Sequence, residues 1–215
     1  MTRSRELWDR DWAAAELDLA LKDQECPACI LGRQTANARL AWMARENIRQ
    51  PETIERVVLA RGLCGPHWEG VLNRVRRDAE AAAVAVVLRS AEALAEDLDR
   101  RVAPALPGCP ICQSVAGRVR STLEIVLERL AWEDTRESFR ASFGLCQPHV
   151  VDALNLRLKP GSQNVLLEIH RVQLERLVAR ARGADEATAS RMARLLALKL
   201  AGAEDAHPSA AGSLH

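Results

Sequence analysis

The chain has 215 residues, 48% of them hydrophobic, enough to fill one large or two small packed domains. Only 3% are aromatic, none is tyrosine, and alanine, leucine, arginine and glutamate dominate, a bias towards helix and away from strand. With 30 basic against 29 acidic residues the net charge is +1, which gives no reason to expect nucleic acid or an anionic membrane, and the longest apolar run, Ala81 to Leu88, is far below the roughly 20 residues of a bilayer span.

Residues 4–22 place Leu7, Trp8, Trp12, Ala15, Leu19 and Leu21 at mixed three- and four-residue spacing, predicting an amphipathic helix that packs over the region following it. Cys26-Pro27 opens a second helix to about Ile48. Pro51 starts a short third, which Gly62 ends through a left-handed cap. From Pro66 the pattern predicts one long helix towards Arg101, burying Val71, Leu72, Val75, Ala79, Ala82, Val86, Leu94 and Leu98. Pro104, Pro107 and Gly108 break it. A helix then runs from Pro110 through Val115, Val119, Leu123, Val126 and Leu127 to Leu130, and after Gly144 a new one starts at Pro148. Lys159-Pro-Gly-Ser interrupts the next segment, 163–181 and 185–201 read as two more helices, and Gly202 to His215 has no periodicity and reads as a frayed tail.

All six cysteines fall into one pattern written twice: Cys26-Pro-Ala-Cys29 with Gly62-Leu-Cys64-Gly-Pro-His67, and Cys109-Pro-Ile-Cys112 with Gly144-Leu-Cys146-Gln-Pro-His149. Cys26 and Cys109 are 83 residues apart, and Cys64 and Cys146, like His67 and His149, are 82 apart, the mark of an internal duplication. Each half supplies three thiolates and one imidazole, the ligand set of a tetrahedral Cys3His site. Proline after the first cysteine and before the histidine puts each ligand pair at a helix start. There free N–H groups and the positive end of the helix dipole favour the thiolate. The insert of about 35 residues is longer than that of a zinc finger, so no known DNA-reading template applies. Closure entropy favours pairing within each repeat: Cys26, Cys29, Cys64 and His67 in one site, Cys109, Cys112, Cys146 and His149 in the other.

Other candidates carry less. Arg-Leu-Ala-Trp recurs at 39–42 and 129–132, but Trp42 lies 13 residues after Cys29 and Trp132 lies 20 after Cys112, and each indole reads as core. His170 reads as a satisfied helix residue, while His207 and His215 fall in the polar tail. The arginines at 171, 176, 180, 182, 191 and 194, and the acids Glu124, Glu128, Glu133 and Asp134, read as solvated helix faces. No phosphate loop, dinucleotide fingerprint or nucleophile elbow is present in the sequence.

The twice-written Cys-Pro-x-Cys … Gly-Leu-Cys-x-x-His in a helical chain of this size resembles a bacterial family of unknown function built on that duplication, over about residues 26–149. The resemblance implies a duplicated helical protein whose eight Cys and His positions are its functional ligands, and it carries no activity. The second repeat looks the more typical, with Glu128, Asp134 and Arg136 leading into Gly144-Leu-Cys146. The first departs from the pattern between Trp42 and Gly62, where Pro51 intrudes.

The sequence thus predicts an all-α, internally duplicated helical bundle: an N-terminal helix over 1–25, a metal-binding repeat over 26–103, the core of a second over 109–158, C-terminal helices over 163–201 and a flexible tail over 202–215. The leading expectation is a non-enzymatic protein with two structural zinc sites that binds or regulates a protein partner. Iron–sulfur clusters in a redox or sensor protein are the alternative, and a Cys-Pro-x-Cys thiol oxidoreductase is the weaker third. The N-terminus lacks a signal peptide's apolar stretch, and structural disulfides are disfavoured in a reducing compartment, so the expectation is a soluble cytoplasmic protein.

Overall fold

Proline sets the helix starts. In the computed structural model, which describes residues 12–99, 108–156 and 160–202, every described proline occupies the first or second position of a helix, where its fixed φ fits and its missing N–H costs nothing. The helices are α1 (residues 12–20), α2 (Pro27–Trp42), α3 (Pro51–Leu59), α4 (Gly65–Leu72), α5 (Glu80–Asp99), α6 (Pro110–Arg129), α7 (Glu133–Ala141), α8 (Gln147–Asn155), α9 (Pro160–Arg182) and α10 (Glu186–Ala201). A π-turn, Met43–Asn47, extends α2, and a 3-10 turn, Arg77–Ala79, precedes α5. No strand occurs among the described residues, so the fold is all-α. Residues 4–11, the prolines at 104 and 107, Lys159 and the tail from Ala203, with His207 and His215, lie outside them.

The chain packs as two compact units. One is formed by the two ends of the sequence, up to Arg33 and from Gly117 onward, and the other by the middle, Gln34–Ala116. In the first, α9 packs against α7, α8 and α10, and α10 also meets α8. Leu123, Val126, Leu127 and Leu130 of α6, Leu166 and Ile169 of α9 and Met192 of α10 supply its buried apolar side chains. In the second, α3 packs on α5 and α4 meets the π-turn, with Val57, Val71, Ala83 and Val86 buried. The repeats divide the sequence and the units divide the packing, and the two divisions differ.

Several local expectations are corrected. The long helix from Pro66 is interrupted: α4 ends at Leu72 and α5 begins only at Glu80. The break falls in the charged run Arg74-Val-Arg-Arg-Asp78, where the Arg74 guanidinium donates to the Gly70 carbonyl at 3.0 Å and caps α4, while Arg76 is extended (φ −74°, ψ 149°). Leu72, the last residue of α4, and Leu98, near the end of α5, are exposed and not core.

In α1 the buried face is Ala13, Leu17 and Ala20, one position out of register with the predicted Trp12, Ala15 and Leu19. Two alanines allow close approach of a neighbouring helix. The polar ties of α1 run to the second repeat, not the first: Glu16 pairs with Arg118, and Asp18 with Arg129 at 2.6 Å, both partners on α6. At the end of α3 the left-handed position belongs to Arg61 (φ 60°), with Gly62 (φ 106°) following, and the amides of Arg61 and Gly62 return to the carbonyls of Val58 and Val57 at 2.9 and 2.8 Å. A 2.6 Å ion pair to Asp97 holds the Arg61 side chain in this conformation. Neither indole of the Arg-Leu-Ala-Trp pairs is core: Trp42 is 36% exposed and Trp132 62%.

Candidate metal centre

The eight predicted ligands gather into two groups of four, but they exchange partners between repeats. Cys26 and Cys29 meet Cys146 and His149, and Cys109 and Cys112 meet Cys64 and His67. The expectation of pairing within each repeat is therefore overturned. A spacing of 35 residues closes a local site only if the hairpin between has arms of equal length, and here it does not. The 16 residues of α2 run roughly 24 Å and the π-turn carries the chain further, whereas the 9 residues of α3 return only roughly 13 Å. In repeat two, the 20 residues of α6 run roughly 30 Å and α7 again returns only roughly 13 Å. Against this mismatch the entropy of the longer loop counts for little, about 1 kcal/mol for a threefold change in length.

Each group is built from two helix starts. Cys26 and Cys109 directly precede the Pro27 and Pro110 that open α2 and α6, and Cys64 and Cys146 are the N-caps of α4 and α8, both extended at ψ 161°. His67 and His149 follow in the first turn of α4 and α8, three residues on. Every group thus brings the positive ends of two helix dipoles to three sulfurs, which suits thiolate.

The donor atoms lie within 4.8 Å of one another in both groups. In the group of the terminal unit the Nδ1 of His149 stands 3.4, 3.5 and 3.2 Å from the sulfurs of Cys26, Cys29 and Cys146, and Cys29 and Cys146 sulfurs are 3.8 Å apart. In the group of the middle unit the Nδ1 of His67 stands 3.1, 3.3 and 3.4 Å from the sulfurs of Cys64, Cys109 and Cys112, and Cys64 and Cys112 sulfurs are 3.7 Å apart. Bond lengths of about 2.3 Å to sulfur and about 2.05 Å to nitrogen give tetrahedral edges of about 3.8 Å for S···S and about 3.5 Å for S···N. Both groups fit a single four-coordinate ion. All six cysteines are free of disulfides.

The groups differ in surroundings. All four residues of the terminal group are buried, and all four of the middle group are half-buried. Burial pushes the Cys26 thiol well above the ordinary range, with Cys146 and Cys29 adding to it. Burial lowers His149, but its contacts with the sulfurs of Cys146 and Cys29 outweigh this and raise it to about 9. In the middle group burial raises the Cys109 thiol, while His67 and the backbone amides of Cys112, Cys64 and Ile111 more than offset this and bring it down to about 6. Burial and the negative Cys109 then push Cys112 up to about 12. A divalent ion entering either group displaces protons as it binds.

Behind the buried group lies a polar network that the sequence reading missed. Lys199 of α10 is fully buried, its Nζ donating to the Phe143 carbonyl and to Oε1 of Gln173 at 2.9 Å, and resting 4.9 Å from the centre of the Phe143 ring. Gln173 donates in turn to the carbonyls of Phe139 at 2.8 Å and Ser142 at 3.1 Å, fixing the loop that delivers Cys146. Burial lowers Lys199 to about 8, opposed by the charge of Cys26 and Cys146. His170 is buried with Nε2 2.9 Å from Oε1 of Gln147, and burial with the nearby Lys199 lowers it to about 4. It is a core residue and lies outside both ligand groups. A signal was available: His170 and Gln173 occupy the same stripe of α9 as buried Leu166 and Ile169, and Lys199 shares a face of α10 with buried Met192. Polar residues at core positions mark something to be satisfied.

The helix charges behave as expected, with Glu124 and Glu133 paired to Arg120 and Arg136 on their own helices at 3.0 and 3.1 Å, and Arg171 to Glu175 at 2.6 Å. No helix among the described residues is long and apolar enough to cross a membrane. No protein-family model, curated protein or solved structure matches this chain.

Proposed function

We propose that the chain is a helical metalloprotein that holds two single zinc ions, each in a Cys3His shell, as structural fasteners between helix starts, and that it serves a protein partner or a regulatory role without chemistry of its own. The reading rests on one observation: both donor sets have the edge lengths of a single tetrahedron. An iron–sulfur cluster spreads its terminal ligands over more than one iron and needs donor sets more widely open than these. Lys199 supports the same conclusion. Three thiolates, a neutral imidazole and a divalent ion carry a net charge of −1, and a buried ammonium with no carboxylate partner among the described residues is the counter-charge such a centre calls for.

Apolar side chains left at the surface, Val84 and Leu88 one turn apart on α5, support a partner-binding role. Three cysteines in each set, none of them in a disulfide, suit a reducing compartment such as the cytoplasm. Anaerobic purification, elemental analysis and an absorption spectrum test the metal: two zinc ions per chain and a colourless protein are expected. Stoichiometric iron and sulfide with a brown colour would establish the cluster alternative. Removal of zinc with a chelator should loosen both units, seen as lost helical signal, because ligands from separate segments make metal binding part of folding.

A further inference from the structure

A small groove in the middle unit lies outside the ligand set, and three helices present the same kind of face to it. From α2 and the π-turn that extends it come Arg39, Trp42 and Met43, from α3 Thr53, Arg56 and Val57, and from the start of α6 Pro110, Ile111 and Ser114. The first two sets share the spacing i, i+3, i+4, so each helix turns one guanidinium towards the groove beside an apolar neighbour. Neither Arg39 nor Arg56 makes an ion pair or hydrogen bond among the described residues, and the acids of α3, Glu52 and Glu55, leave them unpaired.

Thr53 adds an independent observation. It is only 7% exposed, and its hydroxyl makes no hydrogen bond among the described residues, because at the third position of α3 it has no carbonyl of its own helix one turn back to return to. The hydroxyl opens to the groove and is not sealed from solvent, so it is available to water or to a ligand atom. Ser114 donates to the Pro110 carbonyl at 3.0 Å and so has its own oxygen free to accept. Met43, Val57 and Ile111 provide buried apolar surface, while the Trp42 indole stays partly open for stacking. The π-turn beginning at Met43 belongs to a class of distortion common at functional sites.

We propose that this groove binds a small organic anion, an oxyanion head on a flat apolar body. The two guanidiniums would take the head, Thr53 would donate a hydrogen bond to it, and Trp42 would stack on the body. The inference is independent of which metal fills the centres.

The test uses the full metal-loaded chain, with benzoate and phenyl phosphate as probes and uncharged benzamide as control, followed by the indole Nε1–H resonance of Trp42, assigned through Trp42→Phe. Saturable binding is expected with Kd about 1 mM or tighter for at least one anion, reasonable for so small a ligand. Arg56→Ala and Arg39→Ala should each weaken it at least about tenfold, and Thr53→Val, which keeps the shape and removes the hydroxyl, by about three- to tenfold. Carboxylate and phosphate heads are told apart by which probe binds. Equal binding of benzamide, unaltered affinity in both arginine variants, or no saturation with either anion would overturn the proposal. Metal content measured on the same samples separates its failure from that of the zinc reading, since the groove variants should keep both ions.

Discussion

The two donor sets share one chemistry and one local construction, a Cys-Pro-x-Cys helix start facing a Cys-x-Pro-His helix start, and they differ in what lies behind them. The terminal set is sealed and backed by Lys199, Gln173 and His170 from the C-terminal helices, which have no counterpart in the duplication. The middle set is half-buried and has solvent to moderate its charge. Burying a thiolate centre removes water's screening of its negative charge, and a protein that does so must supply a cation and satisfy that cation in turn. Two copies of a motif can therefore demand different supporting residues.

The strongest way to break this comparison is to remove one ligand from each set. Cys146→Ser should cost the ion held with Cys26 and Cys29 and leave the middle set loaded. Cys64→Ser should cost the ion of Cys109 and Cys112 and leave the terminal set loaded. Native mass spectrometry with one ion retained in each variant, combined with cysteine-protection mapping to show which thiols stay shielded, checks both. Protection of Cys109 and Cys112 in Cys64→Ser would restore pairing within repeats.

A next test removes the counter-charge. Lys199→Met should weaken metal retention in the terminal set by about tenfold or more, since an unpaired buried charge is left behind, and should not alter the middle set. Competition with a chromogenic chelator measures this. Equal weakening of both sets would reduce Lys199 to a packing role.

The glycines before each Leu-Cys sharpen the contrast further. A Cβ at Gly144 (φ 69°) would lie 2.2 Å from Oε1 of Gln173, which is tied to two carbonyls and Lys199 and cannot yield without breaking that network. Gly144→Ala should destabilise by about 3 kcal/mol. At Gly62 (φ 106°) the nearest atom, Nε1 of Trp68, is 3.1 Å away on a less encumbered side chain, so Gly62→Ala should cost about 1–2 kcal/mol. Thermal unfolding of the two variants decides the order.

A last effect, seen only in acid, concerns protons. His170 is held at about 4, below its ordinary 6.5, so the unfolded chain binds the extra proton first and stability is lost as pH falls from 6.5 through 4. His170→Gln, which can keep a hydrogen bond to Gln147, should remove on the order of 2 kcal/mol of that loss. Acid unfolding of the variant and the parent, each compared with itself at pH 7, isolates this from acid release of metal.

Fold class, the eight donors and their placement at helix starts were legible because cysteine spacing and proline both act locally. Partner choice was not, since Cys26 and Cys29 are the same distance in sequence from Cys64 whether or not they meet it. Only the unequal helix lengths hold the answer, and the π-turn that accentuates the mismatch in repeat one leaves no plain mark in the sequence. The face of α1 was misread because Trp12 and Leu19 look more like core than Ala13 and Ala20, while close helix packing selects the small residues. Lys199 was hidden by the habit of placing lysine at the surface.

The donor sets are nested: residues 26 and 29 wait for 146 and 149, and the whole of the other set lies between. During synthesis from the N-terminus a complete foursome, Cys26, Cys29, Cys64 and His67, emerges before either native set exists, and it is the wrong one. The native inner set is complete once Cys112 has emerged, and the outer only with His149. An ion captured early by that first foursome would have to be surrendered for the native sets to form, with Cys26 and Cys29 then waiting for Cys146 and His149 until late in synthesis. Correct loading of this protein is a problem of timing as much as of affinity.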